Sequence, residues 1–222
     1  MASQTSQKHI PNIIHYCWFG DQQIPEQQKK YIKSWKELMP NFKIKKWNEE
    51  NFDITCLKFT KQAYAEKKYA FVSDVARLWI LYNYGGIYFD TDVELLRNID
   101  YIVNQGPFMA CEYNQQNHEP IVSLVNPGLG MAFYKKHPIL KEILDIYATK
   151  NFNINKTETI TKITTDILIK HGLTLSNDIQ QCQDISIYPS NYFSPKSYKT
   201  KKITLTPQTY AIHHFAASWL KD

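Results

Sequence analysis

The sequence predicts an α/β fold, a mixed sheet with helices on both faces in a single domain, and three observations carry that expectation. The chain opens as strand, helix, strand; a long apolar helix then runs into a glycine pair and a short buried strand; the second half holds shorter apolar runs between turns. With 222 residues, 43% hydrophobic and 21% charged, it can bury one sizeable core. No repeat, low-complexity linker or composition shift marks a boundary, so one domain is expected over residues 10–222 after a disordered polar start, residues 1–9.

Ile13 to Trp18 reads as the first strand, ended by Gly20-Asp21. Pro25 to Met39 places Tyr31, Trp35 and Leu38 at helical spacing, with Pro25 suited to a first turn and Pro40 as a stop. Phe42 to Trp47 alternates apolar residues with lysine and predicts a second strand. A helical pattern starts near Thr60, and Phe71 to Tyr84 reads as nearly continuous helix with Val75, Leu78, Trp79 and Tyr82 on one stripe. Gly85-Gly86 closes it, and Ile87 to Phe89 follows as a short buried strand. Strands are then expected at Phe108 to Cys111, Ile121 to Val125, Ile185 to Tyr188, Ile203 to Leu205 and Ala211 to His213, and helices at Pro138 to Ala148 and Ile160 to Lys170.

Net charge is +5 without a long block of like charge, which argues against a dedicated nucleic-acid binder. Lysines do cluster locally: Lys196, Lys199, Lys201 and Lys202, with Lys135, Lys136 and Lys141, form either a solvated surface or a face for anionic lipid or an anionic acceptor. Cys17, Cys56, Cys111 and Cys182 are scattered, with no zinc spacing and no disulfide framework, which fits a reducing compartment. No apolar run approaches the roughly 20 residues needed to span a bilayer, so a cytoplasmic protein is expected, peripheral at most to the inner face of the membrane.

The most informative stretch is Asp90-Thr91-Asp92 at the end of the glycine-bounded strand. On an extended segment both carboxylates lie on one side and can approach one cation, and hard oxygen donors favour Mn2+ or Mg2+. Upstream, Ser73, Asp74 and Arg77 share a helical face, where the acid and the guanidinium can engage a ribose hydroxyl and a phosphate, or each other. Trp18 is either a platform for a nucleobase or a core residue. In His213-His214-Phe215-Ala216-Ala217-Ser218-Trp219, adjacent strand histidines point opposite ways, so only one can serve a cation.

Three motifs in order carry a resemblance: Ile10 to Gly20, Tyr69 to Leu78 running into Gly85 to Asp92, and the His-His-x-x-x-Ser-Trp ending. Together they resemble bacterial family 32 glycosyltransferases, relatives of the yeast initiating mannosyltransferases and, more distantly, of the catalytic domain of large clostridial glucosylating toxins. The resemblance runs from about residue 10 to 220. It implies a GT-A, Rossmann-like nucleotide-binding fold, a nucleotide-diphosphate-sugar donor of the UDP-hexose type, a divalent cation and retention of anomeric configuration. It further implies a saccharide or lipid-linked saccharide acceptor in capsule or lipopolysaccharide synthesis.

By motif, Trp18 would stack on the base, Asp74 would hold ribose or donor sugar, and Arg77 would contact donor sugar and phosphate. Tyr88 would line the nucleotide site, Asp90 would touch ribose and the metal's water, and Asp92 would ligate the metal. Ser218 and Trp219 would close over the diphosphate, His214 is the candidate metal-ligating histidine, and Asn126 in Asn126-Pro127-Gly128 matches the acceptor-side loop. Catalysis would rest on Asp74, Arg77, Asp90 and Asp92.

Two rivals differ in class. Asp90-Thr91-Asp92-Val93 also fits the nucleophile pattern of haloacid-dehalogenase-type phosphatases, but those carry it on their first strand and need a later Asp-Asp pair that this chain lacks. A non-catalytic nucleotide-sugar or saccharide-binding module on the same fold is the other; the full set of Asp74, Arg77, Asp90, Asp92 and Trp219 argues against it.

Overall fold

A computed structural model describes residues 8–112, 124–174 and 176–216. In chain order the elements are β1 (Ile13–Cys17), α1 (Glu26–Leu38), β2 (Lys43–Trp47), α2 (Lys58–Ala65), α3 (Tyr69–Tyr84), β3 (Gly86–Tyr88), β4 (Val93–Leu95), α4 (Asp100–Asn104), β5 (Phe108–Glu112), β6 (Leu124–Val125), β7 (Met131–Phe133), α5 (Pro138–Thr149), α6 (Ile160–Lys170), β8 (Gln180–Cys182), β9 (Ile185–Tyr188), α7 (Ser190–Phe193) and β10 (Ala211–His213). The main sheet runs β2-β1-β3-β7-β5-β9-β8, with β6 paired to β5 and a separate ribbon of β4 and β10. β1, β2 and β3 are parallel, whereas β7 is antiparallel to both β3 and β5. The sheet is therefore mixed, as the sequence predicts.

Side chains leave each strand on alternating faces and enter two separate cores. Tyr88, Met109, Cys111, Met131 and Phe133 pack with α2, α3, α5 and α6; Ile87, Phe89, Phe108, Ala110 and Ala132 pack with Trp35 and Met39 at the end of α1, with α4 and with Phe193 of α7. Helices thus cover both faces. β2 lies at the sheet edge, where its exposed lysines discourage pairing with another chain.

The glycine pair is required by geometry. Gly85 stops α3 at a φ of +66°, with its N–H bonded to the Leu81 carbonyl at 2.8 Å. Gly86 has a φ of +101°, and a Cβ there would stand 2.6 Å from the Ile13 carbonyl, so only glycine lets β3 start against β1.

Other expectations shift. The helix predicted from Thr60 is two helices, broken at Lys67, which adopts a φ of 58°. Ile203 to Leu205 is not a strand: it lies on the surface, and Ile203 alone makes a bridge, to Lys196, because no partner strand among the described residues covers either face. Of Ile121 to Val125, the first three residues lie outside the described ones, as do residues 1–7 of the polar start; Lys8 donates to the Tyr134 hydroxyl at 2.7 Å.

His15, buried in β1, links the glycine turn to β2. Trp47 Nε1–H donates to its Nδ1 at 3.0 Å, so its proton sits on Nε2 and is donated to the Gly85 carbonyl, also at 3.0 Å. Burial, opposed by the Gly85 bond and helped by Lys45, lowers its pKa from 6.5 to about 4. The unfolded chain takes up a proton as pH falls below 6.5 and the folded one does not, so stability is lost from pH 6.5 down to 4, by about 3 kcal/mol from this group. Nitrogen-detected NMR should find His15 neutral at pH 5; an imidazole half-charged near pH 6.5 would refute the assignment.

Candidate active site

β3 leads out of the sheet at the same end as β1, and the chain turns there. Asp90 and Asp92 do not lie on an extended segment: they sit on a β-turn, with Val93 N–H bonded to the Asp90 carbonyl at 3.1 Å. The turn feeds β4, and β4 pairs antiparallel with β10 so that His213 lies opposite Val93. Its Nε2 is 3.1 Å from Asp92 Oδ1 and 4.0 Å from Asp90 Oδ2. Asp90, Asp92 and His213 each offer a donor atom within 4.8 Å of the others.

His214 is placed elsewhere. Its Nε2 is 2.7 Å from Glu94 Oε2, and its ring stacks on Tyr31 at 4.3 Å between centroids. The geometry puts His213, not His214, beside the acid pair, because side chains alternate along β10 and only one of the two can face the turn.

α3 supplies the floor. Arg77, 5% exposed, reaches Asp74 Oδ1 and Asp90 Oδ1 through Nη2, both at 3.1 Å, while its Nε–H is bonded to the Ser73 carbonyl. The guanidinium lies 5.0 Å from the centre of the Tyr88 ring, and the Tyr88 hydroxyl donates to Asp90 Oδ1 at 3.0 Å. Asp74 and Arg77 therefore engage each other as well as Asp90. Tyr88 is buried, and it bears on the site through Asp90.

Charge is distributed unevenly. Burial raises the pKa of Asp74 to about 6, against the pull of Arg77. Asp90 is likewise raised, by burial first, with Arg77 opposing and the Asp92 charge assisting. Burial also works against ionising Asp92, but the charge and hydrogen bond of His213 and the Ala216 N–H, 2.8 Å from Oδ2, outweigh it and hold that carboxyl low. His213 is raised in turn: burial opposes its charge, and Asp92, Asp90 and Glu112 more than compensate. Its Nδ1 is buried without a hydrogen-bond partner among the described residues.

Gly128 approaches the acids from the far side. A Cβ there would collide with Asp90 Oδ2 and stand 3.0 Å from Arg77 Nη1, so a side chain here would have to displace Asp90 from its Arg77 and Tyr88 contacts. Asn126 shapes that loop: its Oδ1 accepts from Gly128 N–H at 2.7 Å and its Nδ2 donates to Glu112 Oε2 at 2.7 Å. Glu112 is a site residue that sequence reasoning missed. It ends the apolar run Phe108 to Cys111, the same apolar-strand-to-acid signal that marks Asp90.

Trp18 is half-buried just past β1, with its Nε1–H bonded to the Gln22 carbonyl at 2.6 Å. It lines a cleft of about 400 Å³ together with Gly20, Asp21, Lys46, Asn48 and Glu49. Ser218 and Trp219 lie outside the described residues.

Residues 25–109, which include Asp74, Arg77, Asp90 and Asp92, match the family described as glycosyltransferase sugar-binding region containing DXD motif. Over those residues the chain is similar to DXD-containing glycosyltransferases. It is 28% identical over 220 residues to an uncharacterized glycosyltransferase of Acanthamoeba polyphaga mimivirus, covering 95% of this chain and 84% of that one. Inositol phosphoceramide mannosyltransferase 3 of Schizosaccharomyces pombe is 31% identical over 139 residues, covering 61% of this chain and 36% of the yeast protein. Among solved structures, PaToxG glycosyltransferase superposes with a TM-score of 0.54 at 19% identity, over 72% of this chain and 69% of that one. That likeness is one of fold, the GT-A fold of these glycosyltransferases. DXD glycosyltransferases generally bind a divalent cation and a nucleotide sugar. The donors here suit such an ion, since carboxylate oxygens and one imidazole converge on a single point.

Proposed function

We propose that this glycosyltransferase moves a hexose from a UDP-hexose to a saccharide or lipid-linked saccharide acceptor with retention of configuration, using Mn2+ or Mg2+. The carrying observation is the convergence of Asp90, Asp92 and His213 above the Arg77 ion pairs. Asp92 and His213 would hold the cation, with Asp90 beside them as the more open carboxylate, 27% exposed against 12% for Asp92. When bound, the cation would neutralise charge building on the leaving diphosphate.

The remaining work falls to the protein's own side chains. Arg77 acts as a positioning residue, fixing Asp74 and Asp90 through one nitrogen, and the Tyr88 hydroxyl holds the same oxygen of Asp90. Gly128 leaves the space against Asp90 clear. Trp18 and its cleft lie at the end of β1 neighbouring β3, where a base platform is needed. Ser218 and Trp219 are assigned as the lid on the resemblance of their motif. The lipid side of the acceptor reading draws on the printed name of the yeast relative, an inositol phosphoceramide mannosyltransferase; synthesis of a surface polysaccharide such as capsule or lipopolysaccharide, in the cytoplasm, is the setting we assign.

A screen of UDP- and GDP-hexoses for Mn2+-dependent nucleotide release tests the reading directly. At least one UDP-hexose should be turned over, and chelation should stop it. Nucleotide-sugar binding without turnover of any donor, with or without acceptor, would make the chain a binding module instead.

A further inference from the structure

No acidic residue occurs between Asp184 and Asp222, and the lysines of that stretch are concentrated in Lys196-Ser197-Tyr198-Lys199-Thr200-Lys201-Lys202-Ile203-Thr204-Leu205. The structure makes this segment a small protruding hairpin. Lys196 and Ile203 form an antiparallel bridge, and Ser197 N–H and the Lys202 carbonyl close the turn at 2.9 Å. Every residue from Tyr198 to Leu205 is exposed.

Among those exposed residues are three large apolar ones, Tyr198 at 50%, Ile203 at 40% and Leu205 at 58%. Lys199, Lys201 and Lys202 make no ion pair among the described residues. By contrast, the other lysines of the sequence-level cluster are engaged or lie on different elements: Lys141 pairs with Asp145, and Lys136 donates to Asn83. Lys201 Nζ lies 4.2 Å from the centre of the Tyr198 ring, and exposed aliphatic side chains interleaved with lysines that lack a carboxylate partner are the chemistry of a surface that enters a bilayer interface and neutralises anionic headgroups. No helix among the described residues is long and apolar enough to cross a membrane.

The hairpin is tied to the candidate site. Lys196 Nζ donates to the His214 carbonyl at 2.8 Å, and Tyr198 packs edge-on against Phe215, whose ring lies 4.4 Å from that of His213. What the hairpin touches is therefore held beside the strand that carries His213.

We propose that residues 196–205 dock the protein on an anionic lipid bilayer, with the lysines at the headgroups and Ile203 and Leu205 entering the interface, so that the site opens at the membrane surface. This rests on the proposed transfer reaction only for what the site would meet there; docking is read without turnover. The test is co-sedimentation of the full chain with phosphatidylglycerol–phosphatidylcholine vesicles and with phosphatidylcholine alone. Binding should require the anionic lipid and weaken with salt. Lys199→Gln/Lys201→Gln/Lys202→Gln should weaken it by roughly 100-fold, and Ile203→Ser/Leu205→Ser by at least about tenfold. Both variants should keep the parent melting temperature and the parent rate of vesicle-free nucleotide release. Equal binding to phosphatidylcholine, no binding, or unchanged binding of either variant would overturn the proposal. So would equal affinity for a soluble anionic polysaccharide that survives the Ile203→Ser/Leu205→Ser change, since that marks a polyanion site.

Discussion

Asp92→Asn is expected to reduce cation-dependent nucleotide release by roughly 1,000-fold, about 4 kcal/mol of transition-state stabilisation. Asp92 is the acid held most firmly in its ionised form, with Oδ1 against His213 and Oδ2 against the Ala216 N–H. Asparagine keeps the shape and still accepts from Ala216, but removes the charge that pairs with His213 and that a divalent cation needs. Alanine should be at least as severe and adds a void beside a buried histidine. Release measured against Mn2+ concentration, with His213→Ala and His214→Ala alongside, decides the ligand set: His213→Ala should shift the cation dependence and His214→Ala should not. An Asp92→Asn enzyme with the parent cation dependence would remove this carboxylate from the metal site.

Arg77→Met should be the most destabilising single change at the site. Arg77 is almost fully buried, and its one guanidinium neutralises Asp74 and Asp90 together. Methionine fills much of the volume but leaves Asp74 without a counter-charge and Asp90 with only His213, 4.0 Å away, a defect that costs about 3–5 kcal/mol. For a chain of this size that is a melting temperature lower by about 10 °C. Adding Asp74→Asn to Arg77→Met should restore part of the loss, because one of the stranded charges is then gone; the coupling, read by a double-mutant cycle, distinguishes an ion-pair network from simple packing. Arg77→Lys keeps the charge without the fork and should fall between. A melting temperature within about 2 °C of the parent for Arg77→Met would contradict the network.

Much of this site lies within one local stretch, and that is why it is legible. The periodicity of α3, the glycine stop and the apolar run of β3 are set by neighbours in sequence, so Asp74, Arg77, Asp90 and Asp92 can be brought together on paper. Elements without a local signature are not legible. β4 and β7 are three residues each, and they exist because a distant strand pairs with them. Gly128 and Glu112 come to the site only through such pairings, across β7 and β5.

The sequence by itself determined the α/β alternation, the two-faced sheet and an acid pair at the end of an apolar strand, since helix and strand periods are local properties of side-chain order. Tertiary structure alone decided that the pair sits on a turn, that His213 rather than His214 closes on it, and that Lys196 and Tyr198 stand beside that strand. The reason is physical: which face of a short strand meets a site depends on the register of its partner, and β10 takes its register from β4, more than a hundred residues away.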